Sequence, residues 1–237
     1  SEQCGRDIRY YIKYRNDKRF MSLSSLIKTG NICETEFCYD EISDTLAPID
    51  FDTFRKNAER MEVYSCATNV KTGKPAYLRL TDLKLQRDRD AVRASASLPL
   101  VSQLVECDGM QLLDGGTSDS VPIRFMIDKG FDKNIIVLTR VAGYRKKADN
   151  TMPLMKLKYK EYPEYIDTAE NRYIRYNETM EEIEELEREG KVLVIRPSHE
   201  LSVSRIEKDI KKLKRMYKLG RFDAQNMMKE ILDYVKQ

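Results

Sequence analysis

Among the 237 residues, the types and spacing best suited to chemistry are one carboxylate followed by two glycines, Asp114-Gly115-Gly116. A carboxylate at a strand end can take a proton from a hydroxyl if the surrounding site is dry. Glycines behind it can adopt positive φ and let another backbone or a substrate approach closely. The same triplet also reads as a surface turn, because Asp-Gly punctuates many loops. The single histidine, His199, is a second candidate: it lies just past the apolar run Lys191–Pro197 and follows Asp114 in the order of a Ser-Asp-His hydrolase. Beside Ser198 and Glu200 it has an ordinary capping role available too. Seven glutamates between Glu178 and Glu189 would hold a cation only if they converged, and a solvated helix face accounts for them.

The elements that position Asp114 follow from the pattern around it. Asp108-Gly109, between Leu104–Cys107 and Met110–Leu113, is the signal of a two-residue hairpin whose second strand ends at Asp114. Upstream, 88–97 is expected to be a helix stopped by Pro99, with 61–70 and 75–80 as neighbouring strands. Earlier still, helices are expected around Ile8–Ile12, over 22–27 and over 34–46, with a turn at Lys28–Asn31. Downstream, 121–129 is expected as a helix and 134–141 as a strand buried on both faces. Then come a loop or lid over 148–162, a helix over 167–188, a strand over 191–197, and helices over 203–217 and 223–234. Alternating strands and helices predict an α/β fold: a three-layer α/β/α sandwich with 61–70, 134–141 and 191–197 in one mainly parallel sheet. The expected organisation is one domain, 1–237, with C-terminal helices from 203.

Composition narrows the class. A net charge of +3 with 34% charged residues is a small imbalance and does not by itself indicate nucleic acid. Lys208, Lys211, Lys212, Lys214, Arg215 and Lys218 form a local basic run that would suit nucleic acid or an anionic membrane, or equally the exposed face of a core helix. Five cysteines, at 4, 33, 38, 66 and 107, include no metal-type pair and point to a reducing cytoplasm. No apolar run approaches the ~20 residues of a membrane span, and no leader pattern precedes Cys4.

The alanine- and serine-rich stretch Arg93–Val101, closed by Pro99 and followed by a strand into Asp114-Gly115-Gly116, resembles the patatin-like phospholipase family. Phe20–Ser22, Lys28–Asn31, Ala67–Gly73, Leu138–Arg140 and Gly143–Lys147 resemble its bacterial branch. The resemblance implies a lipid acyl hydrolase in which a Gly-x-Ser-x-Gly serine and the aspartate of Asp-Gly-Gly form a dyad, and a glycine-rich loop makes the oxyanion hole. It implies a lipid or acyl-ester substrate, peripheral contact with a membrane surface, and no metal or organic cofactor. Asp114, with Gly115 and Gly116, is the part of that machinery found here, since no Gly-x-Ser-x-Gly occurs in the chain. The nucleophile's strand and helix are expected ahead of Ser1, and residues 1–237 alone are expected to be silent. A binding module without activity is the other outcome. As the base, Asp114 is expected at the sheet edge, facing a cleft, with no Arg or Lys partner.

Overall fold

The computed structural model describes residues 9–204 and 207–236, so Cys4, Ile8 and Ile206 lie outside the described residues. The chain forms two compact units, one from the residues up to Ser120 with Lys147–Tyr173, the other from Val121–Lys146 with Ile174 onward.

The first unit opens with helical residues 9–14 and helix α1 (Leu23–Thr29). Ser22 starts α1 by accepting the Ser25 N–H, and Gly30, at φ +73, ends it. The segment expected as an ordinary helix over 34–46 is a π-helix, Glu36–Leu46. After it comes α2 (Phe51–Ala58), started by the Asp50 carboxylate accepting the Thr53 N–H. Strands β1 (Val63–Asn69), β2 (Pro75–Leu80), β3 (Val105–Cys107) and β4 (Met110–Asp114) form one sheet in the order β2-β1-β4-β3, antiparallel at every step. Asp108 and Gly109 both take positive φ, 51° and 72°, as the expected two-residue turn demands. Helix α3 (Gln86–Ser95) packs Ala91 and Ala94, both fully buried, on Ala67, Leu78 and Leu112.

Asp88 ties α3 to the end of β2. Its carboxylate, 1% exposed, accepts the N–H groups of Thr81 (2.5 Å) and Asp82 (2.7 Å) and pairs with Arg87 at 2.9 Å. Burial raises its pKa, but the two backbone donors and Arg87 outweigh that and hold it below the usual carboxylate range. A depressed folded pKa contributes stability that is complete above the unfolded value near 3.9 and is lost as pH falls through the folded value. Asp88→Asn should therefore cost about 2–3 kcal/mol at pH 7, read from urea unfolding, and the gap from wild type should shrink below about pH 4. An unchanged urea midpoint would show that the carboxylate carries nothing.

The segment expected as a loop over 148–162 contains helix α5 (Met152–Lys158), numbered after α4 of the second unit below. Pro153 is tolerated in its first turn, and Met155 and Tyr159 enter a core with Val70, Leu113 and Tyr165. Helix α6 (Pro163–Glu170) completes that core with Tyr165 and Ala169, and a break at Asn171 splits the expected helix over 167–188.

In the second unit, α4 (Ile123–Asp128), the long α7 (Arg172–Arg188) and the parallel strands β5 (Asn134–Val137) and β6 (Val192–Ile195) share the core of Ile123, Ile136, Met180, Ile183 and Val194. The first two residues of α7, Arg172 and Tyr173, belong to the first unit. Helices α8 (Ile210–Asn226) and α9 (Met228–Lys236) follow. The helix expected from 203 begins at 210, where Asp209 accepts the Lys211 N–H, and it runs through Gly220.

The α/β class stands, but the single mainly parallel sheet does not describe these residues. Among the described residues only β5 and β6 pair in parallel, because helices separate them; β1 meets β2 through a short turn that permits antiparallel pairing alone. Nor is β5 buried on both faces: Ile136 and Leu138 face the core, whereas Ile135 and Val137 are 41% and 71% exposed.

Candidate active site

Asp114 is the last residue of β4, opposite Ala67 of β1. Its backbone is pinned from two elements: its N–H donates to the Ser97 carbonyl at 2.9 Å, and its carbonyl accepts the Thr68 hydroxyl at 2.8 Å. The side chain folds forward, so that Oδ1 accepts the Gly116 N–H at 2.8 Å and caps the single 3-10 turn Gly115–Thr117. The half-buried carboxylate is thereby aimed by its own backbone.

The two glycines serve a purpose other than left-handed φ, which neither adopts. A Cβ on Gly115 would sit 2.2 Å from the Cys66 carbonyl oxygen and 2.6 Å from its carbon, so the turn can press on β1 only without a side chain. A Cβ on Gly116 would lie 2.9 Å from Asp114 Oδ1 and 3.2 Å from Arg172 Nη2. Arg172 also donates through Nε to the Gly116 carbonyl at 2.5 Å. An arginine thus stands beside the turn, bonded to the Gly116 carbonyl.

Three serine hydroxyls near Asp114 are engaged. Ser97 donates to the Arg93 carbonyl and Ser120 to the Gly116 carbonyl, each at 2.8 Å, while Ser118 Oγ lies 2.8 Å from Thr68 Oγ1. Tyr77 donates to Asp119 at 2.5 Å on the far side of the turn. Burial, with the charges of Asp119 and Asp114, pushes the Cys66 thiol up to about 12, so it stays protonated at neutral pH and is no nucleophile. Thr68, Arg172 and the Tyr77–Asp119 pair had no local signal in the sequence; they reach Asp114's neighbourhood through pairing and packing over some 40 to 60 positions.

His199 belongs to the second unit, Asp114 to the first. The histidine's Nδ1 lies 3.3 Å from Ser198 Oγ, and its ring lines a cavity of about 420 Å³ with Leu138, Arg140, Leu201 and Leu219. Asp114 lines neither that cavity nor the one of about 610 Å³ beside Gln103 and Lys158. Among the described residues, no cluster of His, Cys, Asp and Glu suits a metal ion, and no helix is long and apolar enough to cross a membrane.

A model of the family described as patatin-like phospholipase matches residues 1–127, more than half of the chain and the whole of the stretch that holds Asp114. The chain belongs to the patatin-like phospholipase family. A second model, described as a domain of unknown function (DUF6363), matches residues 162–236. An uncharacterized protein of Escherichia coli (strain K12), YjjU, is 23% identical over 130 residues, 54% of this chain and 35% of that protein. The patatin-like chain here therefore spans about a third of the length of that relative.

Proposed function

We propose that these residues carry the aspartate half of a serine-dependent acyl-ester hydrolase acting on lipid. The observation that supports this most is the double anchoring of Asp114: a base whose backbone is held by Ser97 and Thr68, and whose carboxylate is turned by Gly116, needs little reorganisation when a serine arrives. The serine, in a Gly-x-Ser-x-Gly elbow, would come from sequence outside residues 1–237. Asp114 would accept its proton as the hydroxyl attacks the ester carbonyl, and the proton would leave with the alcohol as the acyl-enzyme forms. Water, losing its proton to Asp114, would then release the acid and restore the serine. Backbone donors outside this chain would stabilise the oxyanion, each by roughly 3 kcal/mol. The mainly parallel sandwich, a cytoplasmic location and peripheral contact with membrane belong to the same proposal for the longer protein.

Labelling with a fluorophosphonate, together with hydrolysis of an activated short-chain ester, tests it. A protein extended to include the serine elbow should label there and turn over, whereas residues 1–237 should do neither. Labelling of Ser95, Ser97, Ser118 or Ser120 with matching turnover in the 237-residue chain would put the nucleophile inside it and end the proposal.

A further inference from the structure

We infer that α8 and α9 form a docking face for an anionic lipid surface. The inference rests on the peripheral membrane contact of the proposed function and gives it a place on the chain, without needing the hydrolytic step. In α8, Leu213 and Asp223 are buried, and Asp223 accepts the Ser198 N–H at 3.1 Å, which fixes the inward side of the helix. The outward side carries Lys211, Lys214, Arg215, Lys218 and Arg221, all exposed, and none has a carboxylate within ion-pair distance among the described residues. Phe222 stands among these cations, 59% exposed. Between Ile210 and Lys236 there are eight lysines and arginines against three acids, and one of the three is the inward Asp223.

The cationic row continues as an apolar one. Met227 alone separates the helices, at φ −88 and ψ 0, so the helical path is nearly unbroken. Steps of four and three residues from Lys214 through Lys218, Arg221 and Gln225 lead to Met228, Leu232 and Val235, which places them along one side. Met228, Leu232 and Val235 are 46%, 50% and 65% exposed. Their exposure does not come from a loose helix, since the Tyr234 hydroxyl on another side of α9 donates to the Lys191 carbonyl at 2.7 Å and accepts the Asn134 N–H at 3.2 Å.

A surface presenting anionic headgroups above hydrocarbon is complementary to both halves of this row: lysines and arginines take the phosphates, while Phe222, Leu232 and Val235 enter the boundary. Nucleic acid would satisfy the cations and leave the apolar half in water. A second copy paired face to face would bring like charges together along α8.

Sedimentation with vesicles of equal parts phosphatidylserine and phosphatidylcholine, against phosphatidylcholine alone, tests the inference with the 237-residue chain. Binding is expected only to the mixed vesicles, falling with salt. Lys214→Gln, Lys218→Gln and Arg221→Gln together should weaken it about a hundred-fold, and Leu232→Ser with Val235→Ser should weaken it while leaving the salt dependence in place. Circular dichroism of both variants should match wild type, because every altered side chain is exposed. Absence of binding to mixed vesicles, unchanged binding by the triple variant, tighter binding to an oligonucleotide at the same salt, or a dimer abolished by the serine substitutions would each overturn the inference. In an extended, hydrolytic protein the triple variant should keep full turnover of a soluble ester, so failure here and failure of the catalytic proposal are separable.

Discussion

Asp114→Asn, made in a protein that also carries the serine elbow, should lower kcat for a soluble ester by about a hundred- to ten-thousand-fold, the range expected when a positioned base is removed. The substitution is close to a test of proton acceptance alone. Asparagine keeps an Oδ1 that can accept the Gly116 N–H, and the backbone bonds to Ser97 and Thr68 do not involve the side chain. The 3-10 turn should survive, with a thermal midpoint near wild type and KM little changed. Full turnover by the asparagine variant would remove Asp114 from the mechanism.

Gly115→Ala should be the most destabilising small substitution in the first unit, at about 3–5 kcal/mol or outright failure to fold. The added methyl would meet backbone at 2.2 Å and 2.6 Å, and that backbone belongs to β1, which is held by β2 on one side and β4 on the other. Neither strand can retreat without breaking the Ala67–Asp114 pairing. Gly109→Ala is the control. Gly109 has φ +72 and open space around its Cβ position, so alanine there pays only a left-handed backbone cost of about 1 kcal/mol. Equal urea midpoints for the two variants would show that the contact with Cys66 is not tight.

The hairpin and the end of β4 were legible because their signals are local: Asp108-Gly109 specifies its own turn, and β2 spans the residues expected of it, 75–80. Asp114 was found for the same reason, as a carboxylate at a recognisable strand end. Pairing was not legible. Val63–Asn69 is apolar enough for either kind of sheet, and the short turn after it decides for antiparallel pairing. Helix α5 was hidden by its lysines and by Pro153, which sits inside its first turn, while Met155 and the following Tyr159 enter the core. Separate helices were expected over 203–217 and 223–234, but α8 runs from Ile210 to Asn226 and passes through Gly220, whose Cβ position meets nothing. The partners of the site lay beyond any local pattern, because nothing near Thr68 or Arg172 in the chain points to Asp114.

The contact between Gly115 and the Cys66 backbone also bears on how the motif would drift under mutation. Every amino-acid replacement that one nucleotide change can make in a glycine codon adds a side chain, so Gly115 has no neighbour in mutational space that fits against β1. Selection for a folded protein is enough to hold it, whether or not any ester is ever cleaved. Asp114 is different: asparagine is one nucleotide away and preserves the turn, so in a lineage released from catalysis the aspartate would be free to change while the glycine behind it stayed. Of the two adjacent letters, only the first can report on lost or retained chemistry.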